Sequence, residues 1–254
     1  MIIIKTEEQI TGIKKSCQLA ARTLEHLSSF LKPGITTQYL DNLANQFISQ
    51  HHATAAPLHY RGYPKSICTS VNNVVCHGIP SDQVILKNGD IINIDITTIL
   101  NGYYGDISTT YPIGQISQSA QDLIDHTRQA LSLAIAALEP GKTFSQAIGQ
   151  VIQPYVEKFG HSVVHDLGGH WIGLSFHEDP FVFHFDTPKN DIPLKPGMTF
   201  TIEPMINASS NWHIAVDPIY HWTIRTRDGS LSCQFEHTVL ITATGSEVLT
   251  KLSP

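Results

Sequence analysis

Residues 90–111 read DIINIDITTILNGYYGDISTTY, and the fold turns on them. Asn101-Gly102 is the strongest short hairpin signal, because both central positions of a type I′ turn need positive φ. Residues 90–100 before it alternate or run apolar, and residues 103–111 return with β-branched and aromatic side chains, so the stretch reads as two antiparallel strands. A two-residue turn makes paired positions sum to 203. Thr97 then faces Asp106, and Asp95, two residues away on the same face, becomes the diagonal neighbour of Asp106. Diagonal neighbours lie roughly 7–8 Å apart, close enough for two carboxylates to lean together around metal ions roughly 3.5–4 Å apart. An aspartate in a strand ordinarily sits at an edge or faces solvent. Here Ile91, Ile92, Ile94, Ile96 and Ile99 surround Asp95, implying a strand with little solvent on either face. An unpaired carboxylate is costly there, and a cation removes the cost.

The same pattern recurs further along the chain. Residues 198–205 carry Glu203 in an apolar run, and residues 233–240 do the same with Glu236. His170, in Gly168-Gly169-His170-Trp171-Ile172-Gly173, adds an imidazole. Four hard carboxylates and one nitrogen suit a pair of divalent ions such as Co, Mn, Fe or Zn better than a structural zinc.

Helices flank these strands. Ile10, Ile13, Cys17, Ala20, Leu24, Leu27 and Leu31 recur at helical spacing, with Thr6 and Gln9 as a capping box and Pro33-Gly34 as the stop. A second helix follows over 38–51, and another helical pattern runs over 145–159, where Pro154 predicts a kink and Gly160 an end. The words also repeat. Lys32-Pro33-Gly34 and Glu139-Pro140-Gly141 introduce helices 107 residues apart, Asp95 and Glu203 end similar apolar runs 108 apart, and His77-x-x-Pro80 and His177-x-x-Pro180 lie 100 apart. The expectation is an α+β fold in one domain, 1–254, built from two similar halves of roughly 1–113 and 114–254 that share one sheet covered by helices.

Composition removes several classes of function. With 41% hydrophobic residues the chain can build a core, and its net charge of −6 and scattered Lys and Arg leave no footprint for DNA or other nucleic acid. The apolar start Met1-Ile2-Ile3-Ile4 runs straight into Lys5-Thr6-Glu7-Glu8, and no apolar run approaches a membrane span. Cys17, Cys68, Cys76 and Cys233 show no metal-type spacing. A cytoplasmic protein with reduced thiols is expected.

Asp95 and Asp106, His170-x-Ile172-Gly173, Phe176-His177-Glu178-x-Pro180, Thr201-Ile202-Glu203-Pro204 and Phe235-Glu236-His237-Thr238 together resemble the type I methionine aminopeptidases over essentially the whole chain. The resemblance implies the pita-bread fold and two divalent metals held by Asp95, Asp106, His170, Glu203 and Glu236, with Asp106 and Glu236 bridging. It implies an aminopeptidase that removes the initiator methionine of nascent polypeptides by a metal-bridged hydroxide attacking the scissile carbonyl. Glu203 would also shuttle a proton, and His77 and His177 would stabilise the tetrahedral intermediate. Tyr60, Tyr63, Cys68, Phe176 and Trp222 match positions lining the methionine pocket, an apolar and soft surface suited to a thioether. Asn72, Val74 and Ser232 align with a monovalent cation site. A monomer that meets the ribosome transiently is the family expectation. The remaining histidines, His184 among them, match no catalytic position.

One departure stands out. The family has glycine after the ligand histidine, and this chain has Trp171. Either the indole narrows the substrate channel, or it shifts His170, or it points away into packing; the expectation is that it restricts the substrate and slows turnover, in the extreme leaving a weak or inactive peptide-binding paralogue. A second alternative is an Xaa-Pro aminopeptidase, which resembles the same five ligands in larger chains.

Overall fold

The computed structural model describes residues 2–252, so Met1 of the apolar start and the last two residues of the expected domain lie outside the described residues. The elements that position the site are helices α1 (Glu7–Ser28), α2 (Thr37–Gln50), α3 (Gln118–Ala137) and α4 (Gln150–Glu157), and strands β1 (Cys68–Val71), β2 (Ile91–Leu100), β3 (Tyr103–Pro112), β4 (Gly169–Trp171), β5 (Glu178–Val182), β6 (Thr199–Ile202) and β7 (Glu236–Ile241). They form an antiparallel sheet that also includes Thr54–Ala55 and Ser246–Val248, in the order Thr54–Ala55, β2, β3, β7, β6, β4, β5. β1 pairs with β2, and Ser246–Val248 pairs with β7.

The hairpin has the expected register. Its pairs run from Ile91 opposite Pro112 to Leu100 opposite Tyr103, including Thr97 opposite Asp106. Asn101 and Gly102 both have positive φ, as a type I′ turn requires. The first helix also starts where expected: the Thr6 hydroxyl accepts from the Gln9 amide while the Gln9 side chain accepts from the Thr6 amide, a complete capping box.

Helices cover the sheet in two groups. Ala20, Ala21, Leu24 and Leu27 of α1 and Leu40, Ala44 and Ile48 of α2 bury against Ile92, Ile94 and Ile96 of β2. α3 and α4 bury Leu123, Leu131, Ile152 and Val156 against Trp171, Phe200, Ile202 and Val239. α1 rides directly on β3, for a Cβ at Gly105 would lie 2.2 Å from the backbone nitrogen of Cys17. The stretch expected to kink at Pro154 opens instead with a π turn, Ser145–Gly149, and continues as α4 with Pro154 inside it. The proline ring crowds the carbonyl four residues earlier, so the departure from α geometry sits on its N-terminal side.

The pairing register carries the same offsets as the sequence words. Ser70 faces Asn93 across β1 and β2. Trp171 faces Phe200 across β4 and β6, which brings His170 opposite Thr201 one step further. Moving the first pair forward by 100 and 108 residues gives the second.

Candidate metal centre

Four neighbouring strands deliver the candidate ligands to one face. Asp95 and Glu236 each stand opposite Ser108, from the two sides of β3. Ile202 stands opposite His237, so Glu203, the next residue, comes beside Glu236. Opposed residues share a face and side chains alternate along a strand. Asp95, Glu236 and Glu203 therefore line up in a row, with Asp106 two residues from Ser108 and His170 opposite Thr201 on the same side. Gly169 permits the approach of β4 to β6, because a Cβ there would meet the Thr201 carbonyl at 2.4 Å.

All five candidates line one cavity of ≈ 240 Å³. Donor atoms of Asp106, His170 and Glu236 lie within 4.8 Å of one another. His170 Nε2 is 3.6 Å from Asp106 Oδ2 and 3.8 Å from Glu203 Oε1. A surrounding layer of polar groups fixes these side chains. The Thr97 hydroxyl donates to Asp106 Oδ1 at 2.8 Å, the Thr201 hydroxyl to Glu203 Oε1 at 2.7 Å, and the Gln234 amide to Glu203 Oε2 at 3.1 Å. His170 Nδ1 lies 3.1 Å from the Trp171 carbonyl, the arrangement that protonates Nδ1 and turns the Nε2 lone pair into the cavity.

The electrostatics call for a cation. Burial, then the Asp106 and Glu203 charges, push Asp95 well above the ordinary carboxylate range. Burial, then Asp106, Glu203 and Asp95, do the same to Glu236. Burial raises Glu203 to about 7 even though His170 opposes it. For His170 burial favours the neutral ring, but the hydrogen bond to Asp106 and the charges of Glu203 and Asp106 outweigh it and raise its pKa. Among the described residues no lysine or arginine pairs with any of the four acids. Four carboxylates crowded on one buried face repel one another unless protons or metal ions neutralise them, and this oxygen-rich set with one imidazole fits divalent ions.

The expected substrate residues gather round the same cavity. Tyr60, Tyr63, Cys68, His77, Phe176, His177 and Trp222 all line it. The Tyr63 hydroxyl lies 3.0 Å from both the Ile67 and Gly78 carbonyls, which holds its ring edge-on to Trp222. His177 stacks on Tyr60 and packs 4.2 Å from the His170 ring. Burial, then the neighbouring His170 charge, lower His77 to about 4 and His177 to about 3, so both rings are neutral at neutral pH.

Trp171 takes the packing alternative and does not narrow the site. Alternation sends its side chain to the face opposite His170, where it is fully buried beside Phe144 and Phe200 in the core. It does not line the cavity and blocks nothing there. The reading of a blocked, peptide-binding paralogue loses its basis. Asn72 and Ser232 do meet, but through backbone: the Ser232 amide donates to the Asn72 carbonyl at 2.9 Å, while Val74 pairs with Arg225.

Several site residues escaped the sequence reading. Cys76, Met205, Arg61 and Phe181 also line the cavity. His184, expected to be ordinary core or surface, is buried with Nε2 accepting the Glu203 amide at 3.0 Å, and burial holds it neutral with a pKa lowered to about 3. Thr97 and Thr201 had a readable signal, since each sits two residues from an acid on a strand. His184 had none, because its contact depends on how the loop after β5 returns to β6.

Known proteins resemble this chain along its whole length. The sequence pattern of metallopeptidase family M24 matches residues 11–243. The chain is 46% identical over 253 residues to the methionine aminopeptidase of Rickettsia prowazekii (strain Madrid E), covering 100% of this chain and 96% of that one. It is 45% identical over 250 residues to the methionine aminopeptidase of Escherichia coli (strain K12), covering 98% and 94%. The crystal structure of methionine aminopeptidase from Thermotoga maritima superposes with a TM-score of 0.95 at 36% identity, covering 99% of this chain and 100% of that one.

Proposed function

This chain belongs to metallopeptidase family M24, among the methionine aminopeptidases with their pita-bread fold, and from that premise we propose how its residues share the work. It removes the N-terminal methionine of proteins and depends on divalent metal. Asp95, Asp106, His170, Glu203 and Glu236 would hold two divalent ions, with Asp106 and Glu236 as the ligands shared between them. The observation that carries this assignment is the convergence of all five on one cavity face, where among the described residues no lysine or arginine pairs with the acids. A divalent ion bound there supplies Lewis-acid polarisation of a carbonyl and a water acidic enough to ionise near neutral pH.

The chain's own groups do the rest. Glu203, held on both oxygens by Thr201 and Gln234, takes a proton from the attacking water and returns it to the leaving amine. His77 and His177, both neutral, donate hydrogen bonds to the oxygen on which charge develops. Tyr60, Tyr63, Cys68, Phe176 and Trp222 receive the methionine side chain, with thiol and aromatic surface suited to a thioether. Two similar halves, 1–113 and 114–254, each contribute two of the acids. The paired offsets of 100 and 108 in sequence and register support that duplication. A monovalent cation near Asn72, Val74 and Ser232, a monomeric state and transient contact with the ribosome accompany this reading on the resemblance alone.

Metal stoichiometry tests the ligand assignment. Asp106→Ala and Glu236→Ala variants, titrated with Mn or Co by calorimetry, are each expected to lose both ions, since a bridging carboxylate serves each. A variant that keeps one ion at parental affinity contradicts the bridging role.

A further inference from the structure

The segment ahead of α1 runs from the surface into the protein. Ile2, Ile3 and Ile4 are exposed, yet the Lys5 side chain is fully buried and forms an ion pair with Glu178, itself 6% exposed. The Lys5 amide donates to the Gly197 carbonyl at 2.9 Å, which fixes the backbone beside the pair. Glu178 directly follows His177. Its second oxygen accepts the amides of Leu174 at 2.7 Å and Ser175 at 3.2 Å, so one carboxylate closes the turn 173–178 on itself. That turn presents Phe176 and His177 to the cavity, where Phe176 packs on Tyr60 and His177 on Tyr60 and His170. Gly173 completes the seal: its φ is +137°, and a Cβ there would meet Ile13 of α1 at 2.4 Å and the Lys5 stem at 3.2 Å.

Nothing in the aminopeptidase chemistry needs a lysine at this place. A buried carboxylate needs partners for both oxygens, and here the Lys5 ammonium takes one while the Leu174 and Ser175 amides take the other. We propose that Lys5 is a positioning residue for His177, acting through Glu178 to hold the turn that aims the imidazole at the substrate. The proposal rests on the reading that His177 acts in the reaction.

A double-mutant cycle tests it on metal-loaded protein, measuring kcat and KM for methionine release from a methionyl tripeptide. Lys5→Met is expected to lower kcat by about tenfold or more while KM changes little, as for a misaligned catalytic group. Lys5→Arg recovers most of the rate. In a His177→Ala background Lys5→Met has little further effect, because the group it positions is gone. Glu178→Gln keeps a carbonyl for the Leu174 and Ser175 amides but loses the ion pair. It gives the same cycle should Lys5→Met fail to fold. Equal fold-losses with and without His177 overturn the proposal, as does a lowered melting temperature with kcat intact. A His177→Ala variant as fast as the parent removes the role of His177 and the proposal with it, a result distinct from an additive cycle.

Discussion

Trp171 shows how one residue changes meaning between sequence and structure. Next to His170 in the chain, it lies on the other side of the sheet in space, filling the core between β4, β6 and Phe144. Among the described residues the buried indole N–H finds no hydrogen-bond partner, a cost that packing must offset. Trp171→Gly is therefore expected to lose about 3–5 kcal/mol of stability, less what the orphaned N–H cost, as measured by urea unfolding. Its kcat and KM on short and long methionyl peptides should be unchanged; a marked acceleration would mean that the indole reaches the substrate path. The direction of this side chain was legible, since strand alternation sets His170 and Trp171 on opposite faces once His170 is assigned to the site. The contact of His184 with the Glu203 amide was not, because the two lie 19 positions apart and no local pattern fixes how the chain between them returns to β6.

At the scale of elements, local chemistry decided most of what the sequence could reveal. Asn101-Gly102 fixed the turn, the turn fixed a register in which Thr97 meets Asp106, and that register put two carboxylates on one face. Thr6 and Gln9 fixed the start of α1 in the same local way. The pairing of β7 with β3 joins segments more than a hundred residues apart, and its pairing with β6 brings Glu203 beside Glu236; neither left a local trace. The π turn before α4 was likewise displaced from Pro154, where the irregularity was expected. α1 depends on the hairpin beneath it, and Gly105 sets their separation. Gly105→Ala drives a methyl into the Cys17 backbone and is expected to cost about 1–3 kcal/mol in denaturant unfolding. A neutral result would show that α1 lifts off β3 freely.

Over the whole molecule, the site exists only because separate strands agree in register. β2 and β3 bring Asp95 and Asp106, while β6 and β7 bring Glu203 and Glu236, and the two groups of helices cover the sheet separately. Four acids placed this way are an electrostatic liability without metal and a catalytic centre with it. The whole-chain likeness to methionine aminopeptidases and the five candidate ligands gathered on one cavity point to the same chemistry. The direct measurement is release of free methionine from a Met-Ala-Ser peptide by chelator-treated protein, before and after adding back Mn, Co, Fe or Zn, with an Xaa-Pro peptide alongside. Release that requires metal and favours the methionyl peptide is the expected result; no release with any metal, or faster cleavage of the Xaa-Pro peptide, would contradict it.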